Sequence, residues 1–320
     1  MSNMNQFFKN IPSPLSGLAL AVASLGLGWD SLVHLDKVAQ ISGSLFASLI
    51  VIALFLKYIF NPNILKQELT NPVAGSVIPT LSMATMVIAN TISIFSFQIG
   101  QITSWFAIIL HFLFFIYFFY QRVDNFNLKQ VLPSWFIPPI GIVLAIVTHP
   151  GGLPDILNNG LLYLGFISYA LLLPIVLYRL IFLDKLNDNQ KPIVTILAAP
   201  ASLLLVAYLA ANHLPNYILL YGLLIIATIM TLTVYFTLSN LLRISFSPTY
   251  SAFTFPLVVS AIALIKTSQL LLEKKESNAL INIIITQLGI IELIIASAMV
   301  IYVIFKYLSV IRLSINTMTR

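Results

Sequence analysis

From residue 14 to residue 306 the chain is a series of apolar runs joined by short polar loops, and most of the runs are about as long as a bilayer is thick. That pattern leaves few options. A helix crossing the hydrocarbon core needs about 20 mostly apolar residues, and only helices or closed barrels satisfy every backbone polar group there. Ten stretches qualify, some of them short: 14–31, 40–60, 76–95, 99–120, 135–150, 158–182, 192–211, 217–240, 248–271 and 281–306. The fifth is the weakest, because Pro133, Pro138, Pro139 and Pro150 crowd it. Charged side chains make up 8% of the chain, against about 25% in a soluble domain, so lipid has to be the solvent for most of the exterior. The expected fold is an all-α integral membrane protein: one domain over 14–306, with short tails at 1–13 and 307–320. The first run reads as a retained helix rather than a signal peptide. Lys9 is the only basic side chain ahead of it, and Asp30 and many more spans follow.

Loop charge sets the orientation, because Lys and Arg collect on the cytoplasmic side. With ten spans and the N-terminus inside, the cytoplasmic segments hold Lys9, Lys57, Lys66, Arg122, Lys129, Arg179, Lys185, Lys191, Arg243, Lys306, Arg312 and Arg320. The outer loops hold Lys37, Lys274 and Lys275, and Lys266 falls inside the ninth span. A wrong span count would scramble this asymmetry. Both termini are therefore expected in the cytoplasm of a multi-pass protein of the plasma membrane, the inner membrane in a bacterium. The net charge of +6 follows from that topology and does not point to nucleic acid. With no cysteine, disulfides, thiolate metal sites and thiol catalysis are excluded.

Proline adds a second pattern. Pro14, Pro79, Pro138 with Pro139, Pro200 and Pro256 all fall in odd-numbered spans, with successive gaps of 65, 59, 61 and 56 residues. Among the even spans only the sixth has an interior proline, Pro174. Each gap is the length of one helical hairpin with its loops, so the chain reads as five hairpins in tandem. Proline removes an N–H and frees a backbone carbonyl. In hydrocarbon that carbonyl is tolerated where protein or a water-filled cavity satisfies it. The bent odd helices are thus expected to face a common axis, with the straighter even helices outside them.

The segments around those prolines carry a resemblance. They are Pro14-Leu15-Ser16-Gly17-Leu18-Ala19-Leu20, Asn71-Pro72-Val73 leading to Ile78-Pro79, Pro133-Ser134-Trp135-Phe136-Ile137-Pro138-Pro139, Ala199-Pro200-Ala201 and Ser251-Ala252-Phe253-Thr254-Phe255-Pro256. In this order, across the whole chain, they resemble the tellurite-resistance/dicarboxylate transporter family, which includes bacterial TehA and the slow-type anion channels of plant guard cells. The resemblance implies ten helices in a quasi-fivefold arrangement, a central pore lined by the odd helices, and a homotrimer with one pore per subunit. It also implies an anion pathway closed at mid-membrane by a phenylalanine on the ninth helix, here Phe255. Two features depart from it. Pro256 follows the gate position, where members like TehA can carry glycine, and Glu292 in the last helix stands outside the resemblance.

The expected pore lining is otherwise small or hydroxylic: Ser16, Gly17, Thr80, Ser82, Gly141, Ser202, Thr254 and Ser260. Hydroxyls and backbone dipoles hold a partly dehydrated anion weakly, which suits rapid passage. His149, His213 and Lys266 lie ten to thirteen residues beyond the prolines of the fifth, seventh and ninth spans. They are candidates for an outer mouth whose positive potential rises as pH falls, or else unrelated side chains at the interface. Glu292 is the intramembrane acid, expected neutral or paired with a neighbour such as Lys266, with proton coupling as the sharper alternative.

These features favour a gated channel for small anions such as chloride or nitrate. The alternative is a proton- or anion-coupled carrier of C4-dicarboxylates or tellurite, for which basic side chains at mid-depth would be expected and are not found. No catalytic constellation, nucleotide-binding loop or cofactor motif is present. The four histidines are too scattered for a metal site without a tertiary coincidence.

Overall fold

The computed structural model describes residues 8–123, 126–211, 215–274 and 279–318, with side chains up to residue 309. It is helical, with no strand among the described residues. Nine segments are long and apolar enough to cross a bilayer: Leu15–Val33, Val38–Phe60, Ala74–Phe95, Phe97–Val123, Asp155–Phe182, Lys191–Ala211, Tyr217–Leu241, Pro248–Lys274 and Ala279–Ser309. The helices are α1 (Leu15–Val33), α2 (Val38–Phe60), α3 (Pro62–Thr70), α4 (Ala74–Val77), α5 (Thr80–Phe95) and α6 (Phe97–Val123), then α7 (Ile137–Ile140), α8 (Leu144–Thr148) and α9 (Asp155–Phe182), then α10 (Ala199–Ala211), α11 (Tyr217–Leu241), α12 (Phe255–Lys274) and α13 (Ala279–Met318).

The expected fifth span is a shorter apolar segment, Pro133–Thr148. It is broken into a 3-10 turn at Pro133–Phe136, α7, a second 3-10 turn at Gly141–Val143, and α8. Pro138 and Pro139 remove two successive amide donors, so a continuous i→i−4 ladder cannot form through them. Two further differences concern the ends of elements. The loop after the second span folds into α3, and the last helix runs on to Met318, through the stretch expected as a tail.

The remaining odd-span prolines stand at helix starts, and three of those starts are junctions inside single spans, Ala74–Phe95, Lys191–Ala211 and Pro248–Lys274. Pro14 and Pro79 immediately precede α1 and α5, and Pro200 and Pro256 are the second residues of α10 and α12. A missing N–H costs nothing in a first turn, where that donor has no intrahelical partner. Short helical pieces lead into three of these starts: α4, the 3-10 segment Lys191–Ala198 and the 3-10 segment Pro248–Phe253. Pro174 alone lies well inside a long helix, α9.

Burial divides the spans into two sets. In the most apolar stretch of the first, third, seventh and ninth expected spans, 56, 78, 83 and 72% of residues are buried. In the intervening spans the share is 28–33%. The exposed side chains of that second set are themselves apolar, as at Leu45, Leu49 and Ile52 of α2 and at Ile102, Phe106 and Ile109 of α6. Such faces suit lipid or a neighbouring apolar surface. The buried elements pack in sequence: α1 on α5, α5 on α8, α8 on α10, α10 on α12, and α12 back on α1. Each of α2, α6, α11 and α13 lies against the buried helix that precedes it.

Small residues allow the closest of these approaches. A Cβ on Gly26 of α1 would stand 2.3 Å from the Ala39 carbonyl oxygen, and one on Gly43 of α2 would stand 2.7 Å from that of Val22. Both obstacles are backbone and cannot swing aside. Gly26→Ala is therefore expected to destabilise the fold by about 1–3 kcal/mol. Thermal unfolding in detergent, followed by circular dichroism, would detect it as a lowered midpoint. Polar contacts tie α2 to α5: Gln40 Nε2 donates to Asn90 Oδ1 at 3.0 Å, and the Ser44 and Thr91 hydroxyls lie 2.6 Å apart.

Candidate functional site: a central cavity without fixed charge

The buried elements enclose a cavity of about 220 Å³. Every one of the five proline-bearing segments contributes to its wall. The first gives Pro14 and Gly17, and the second gives Asn71, Val73, Ala74, Val77, Thr80 and Met83. The third gives Phe136, Ile137, Ile140 and Gly141, and the fourth gives Ile193, Ile196, Ala199, Pro200 and Leu203. The fifth gives Thr249, Ser251, Ala252, Phe255 and Pro256. No Asp, Glu, Lys, Arg or His is among these residues.

The electrostatics of such a wall come from the backbone. α1, α5, α10 and α12 all begin at wall residues, next to Pro14, at Thr80, at Ala199 and at Phe255. A helix start turns the positive end of its aligned peptide dipoles toward the wall. Most first-turn amides here are already bonded, as Ser16 to the Ser13 carbonyl, Gly17 to Pro14, Leu81 to Ile78, Ala199 to Ile196 and Leu257 to Thr254, so these starts bring dipoles rather than free donors. Four such ends at one cavity give it a weakly positive backbone potential with no cationic side chain on the wall.

Phe255 is the first residue of α12 and is 8% exposed. The break before it fixes its direction. Thr254 donates through Oγ1 to the Ser251 carbonyl at 2.6 Å, closing the preceding 3-10 turn, and the helix then starts at Phe255 with Pro256 second. Gly17 lies across from that turn, where an added Cβ would make ordinary contact, 3.5 Å from Ser251 Oγ. At Gly141 an added Cβ would meet Met83 Sδ at 2.6 Å, so this position keeps the wall open beside Met83.

Of the residues expected at a pore, Pro14, Gly17, Thr80, Gly141, Pro200, Phe255 and Pro256 are on the cavity wall. Ser16 lies just behind it, 2.6 Å from the Thr80 hydroxyl. Thr254 is fully buried on Ser251. Pro79 and Pro138 present carbonyls to Ser82 and His111, while Pro139 is buried within α7. Ser82 is directed to the Pro79 carbonyl at 2.7 Å and to His111 Nδ1 at 3.0 Å. Ser202 and Ser260 border a different, much smaller cavity together with Glu292.

The three candidates for an outer mouth do not come together. His149 is buried, with Nδ1 2.8 Å from Ser104 Oγ and its ring edge-on to Trp105 of α6. Lys266 is exposed. His213 lies outside the described residues. Among the described residues no ion pair joins Lys266 to Glu292; the acid meets Ser260 Oγ instead, at 2.7 Å.

Weighting hydroxyls over aliphatic side chains missed much of the wall. Ile193, Ile196 and Leu203 recur with the expected Pro200 at helical spacing on one face, a signal present in the sequence. Two buried polar groups were also missed. His111 Nε2 lies 2.9 Å from the Pro138 carbonyl, satisfying an acceptor beside the double proline. Lys57, counted as a loop charge, is inside α2 and only 2% exposed, held by Glu68 at 2.7 Å. Among the described residues no group of three or more His, Asp or Glu side chains could hold a metal ion.

Comparison with known proteins gives a consistent result. Residues 11–308 match the family described as voltage-dependent anion channels, SLAC1. The chain is 29% identical over 159 residues to the uncharacterized transporter MJ0762 of Methanocaldococcus jannaschii, a match covering 45% of this chain and 46% of that protein. It is 25% identical over 220 residues to a tellurite resistance protein TehA homolog of Haemophilus influenzae, covering 63% of this chain and 65% of that protein. The chain thus aligns with between about half and two thirds of the length of these relatives. With the family match spanning nearly all its spans, this multi-pass membrane chain belongs to the SLAC1 voltage-dependent anion channel family, whose members are transporters and channels rather than enzymes.

Proposed function

We propose that the chain is a gated pathway for small monovalent anions of the chloride or nitrate kind. On this reading the nine long segments and the short Pro133–Thr148 act as ten spans in five hairpins with quasi-fivefold symmetry. The proline-bearing segments form the conduit and the others shield it. Phe255 is the gate, an apolar ring that excludes water and ions until it moves aside. The termini are cytoplasmic, the membrane is the plasma membrane, and the exposed apolar faces of the outer helices meet lipid and the other two subunits of a homotrimer.

The observation that carries this reading is the cavity itself: five segments around one space, four helix N-termini at its wall, and no charged side chain on it. Similarity to a tellurite resistance protein homolog keeps a carrier of oxyanions or C4-dicarboxylates as a second reading. A dianion held at a binding site calls for basic side chains, and a wall without them favours the monovalent channel.

The test is anion efflux from proteoliposomes holding a chloride or nitrate gradient, in a Phe255→Ala background so that the ring does not limit flux. Ala252→Glu, assayed at alkaline pH so that the new carboxyl ionises, then puts a negative charge on the wall. It is expected to cut efflux about tenfold or more by Coulombic repulsion, while Ala252→Gln, of the same size, has little effect. Equal efflux through both variants would remove this cavity from the anion route.

A further inference from the structure

A second cavity, of about 10 Å³, lies among α10, α11, α12 and α13, apart from the central one. Its polar lining is Ser202, Thr228, Thr231, Ser260 and Glu292. That volume is about the least that holds one water molecule, which needs two to four polar partners.

The hydroxyl protons around it can be counted. Ser202 gives its proton to the Ala198 carbonyl at 2.7 Å, and Thr228 gives its own to Leu224 at 2.8 Å. Both hydroxyls are then left as acceptors only. Thr231 is 2% exposed, and its Oγ1 has no hydrogen-bond partner. Ser260 has one proton but two acceptors within reach, the Leu257 carbonyl at 3.0 Å and Glu292 Oε2 at 2.7 Å. If Ser260 bonds back to its own helix as Ser202 and Thr228 do, the shorter contact needs a proton from Glu292.

The surroundings also favour a neutral acid. Among the described residues no ion pair reaches Glu292. From α11 the titratable neighbour is Tyr235, one turn beyond Thr231, whose buried hydroxyl is also without a partner. From α12 the contact is Ser260, and Lys266 further along is exposed. From α1, Trp29 bonds to Ser297, and Asp30 turns to the Gln40 amide at 2.5 Å. The 3-10 segment Pro248–Phe253 meets α13 well beyond, where Tyr250 lies against Tyr302 and Tyr307 bonds to the Pro248 carbonyl. An unpaired carboxylate at membrane depth is costly, whereas a carboxylic acid can donate and accept.

The geometry points to a proton-binding site: Glu292 stands as a carboxylic acid donating to Ser260, and a single water in the cavity joins it to Thr231. The site rests on neither the anion route nor the gate. It lies close to both, because Ser260 follows Phe255 by five positions on α12. Ionising Glu292 would draw the Ser260 proton away from the Leu257 carbonyl, in the turn that follows the gate.

Infrared difference spectroscopy of the full chain in lipid bilayers tests this directly. At neutral pH the wild type is expected to show the carbonyl stretch of a protonated carboxyl, downshifted in deuterated buffer and missing from Glu292→Gln. Identical spectra in that region from the two proteins would overturn the proposal. Thr231→Val keeps the shape and removes the water's partner, so it is expected to shift the same band upward. An unmoved band would remove the water bridge. Neither readout requires ion flux, so failure of the anion reading leaves this test intact.

Discussion

Phe255→Ala is expected to raise anion flux through the reconstituted protein about a hundredfold, which corresponds to about 2.7 kcal/mol off the barrier. The ring is 8% exposed, at the start of α12, on a mostly apolar wall that also carries Phe136, Met83, Asn71 and a few hydroxyls. An anion passing an apolar constriction must shed water, and nothing on a phenyl ring replaces the lost hydrogen bonds. Truncation to alanine leaves room for water at that point while the neighbouring helix N-termini stay in place. Planar-bilayer recording with ion substitution measures the effect and the selectivity together. A variant as silent as the wild type would show that Phe255 does not limit conduction. A variant passing cations equally well would show that the helix ends do not set the sign of the permeant ion.

The largest expected loss of stability comes from Lys57→Met. The buried ammonium spends its three protons on the Ile11 carbonyl at 2.9 Å, Ser13 Oγ at 2.7 Å and Glu68 Oε1 at 2.7 Å. The other oxygen of Glu68 accepts from Ser13 at 2.6 Å and from Tyr58 at 2.9 Å. Removing the lysine strands that carboxylate. Because Glu68 is 23% exposed, the cost is expected at the lower end of the range for a broken buried pair, about 3 kcal/mol. The double variant Lys57→Met, Glu68→Gln should recover part of it, since no carboxylate is then left alone. Unfolding followed by circular dichroism measures both. An unchanged midpoint in the single variant would mean that the network adds nothing. The cluster also borders the cavity: Ser13 precedes Pro14, and Glu68 sits three residues before Asn71, Pro14 and Asn71 being wall residues. Lys57→Met is therefore expected to loosen one rim of the cavity as well as to lower stability.

The spans were legible because a bilayer imposes one length and one solvent, and the alternation of buried and exposed spans was legible in the prolines. What those prolines do was less clear. A proline within an apolar run reads as a bend, and only the backbone shows Pro79, Pro200 and Pro256 standing where a short helical piece passes into the longer helix of the same span. α3 escaped notice because nine residues with Lys66, Gln67 and Glu68 look like a loop when their partners, Ser13, Lys57 and Tyr58, are read separately. For Glu292 the sequence left two states open, a neutral acid or a pair with a neighbour such as Lys266. Lys266 is the obvious charge to offset it, but Ser260, 32 positions away, faces it across two packed helices. Much of the wall was missed, Ile193, Ile196 and Leu203 included, because an anion route was expected to be lined with polar groups. On the proposed reading, backbone dipoles serve in their place.

That reliance limits what side-chain replacement can reveal. Every residue except proline brings the same peptide group, so the partial charges that four helix starts bring to the cavity survive almost any substitution. A systematic alanine series along the wall would change conductance and gating yet leave the preference for anions over cations largely intact. Altering that preference would require editing the main chain itself, for example with an ester in place of an amide in the first turn of α10 or α12.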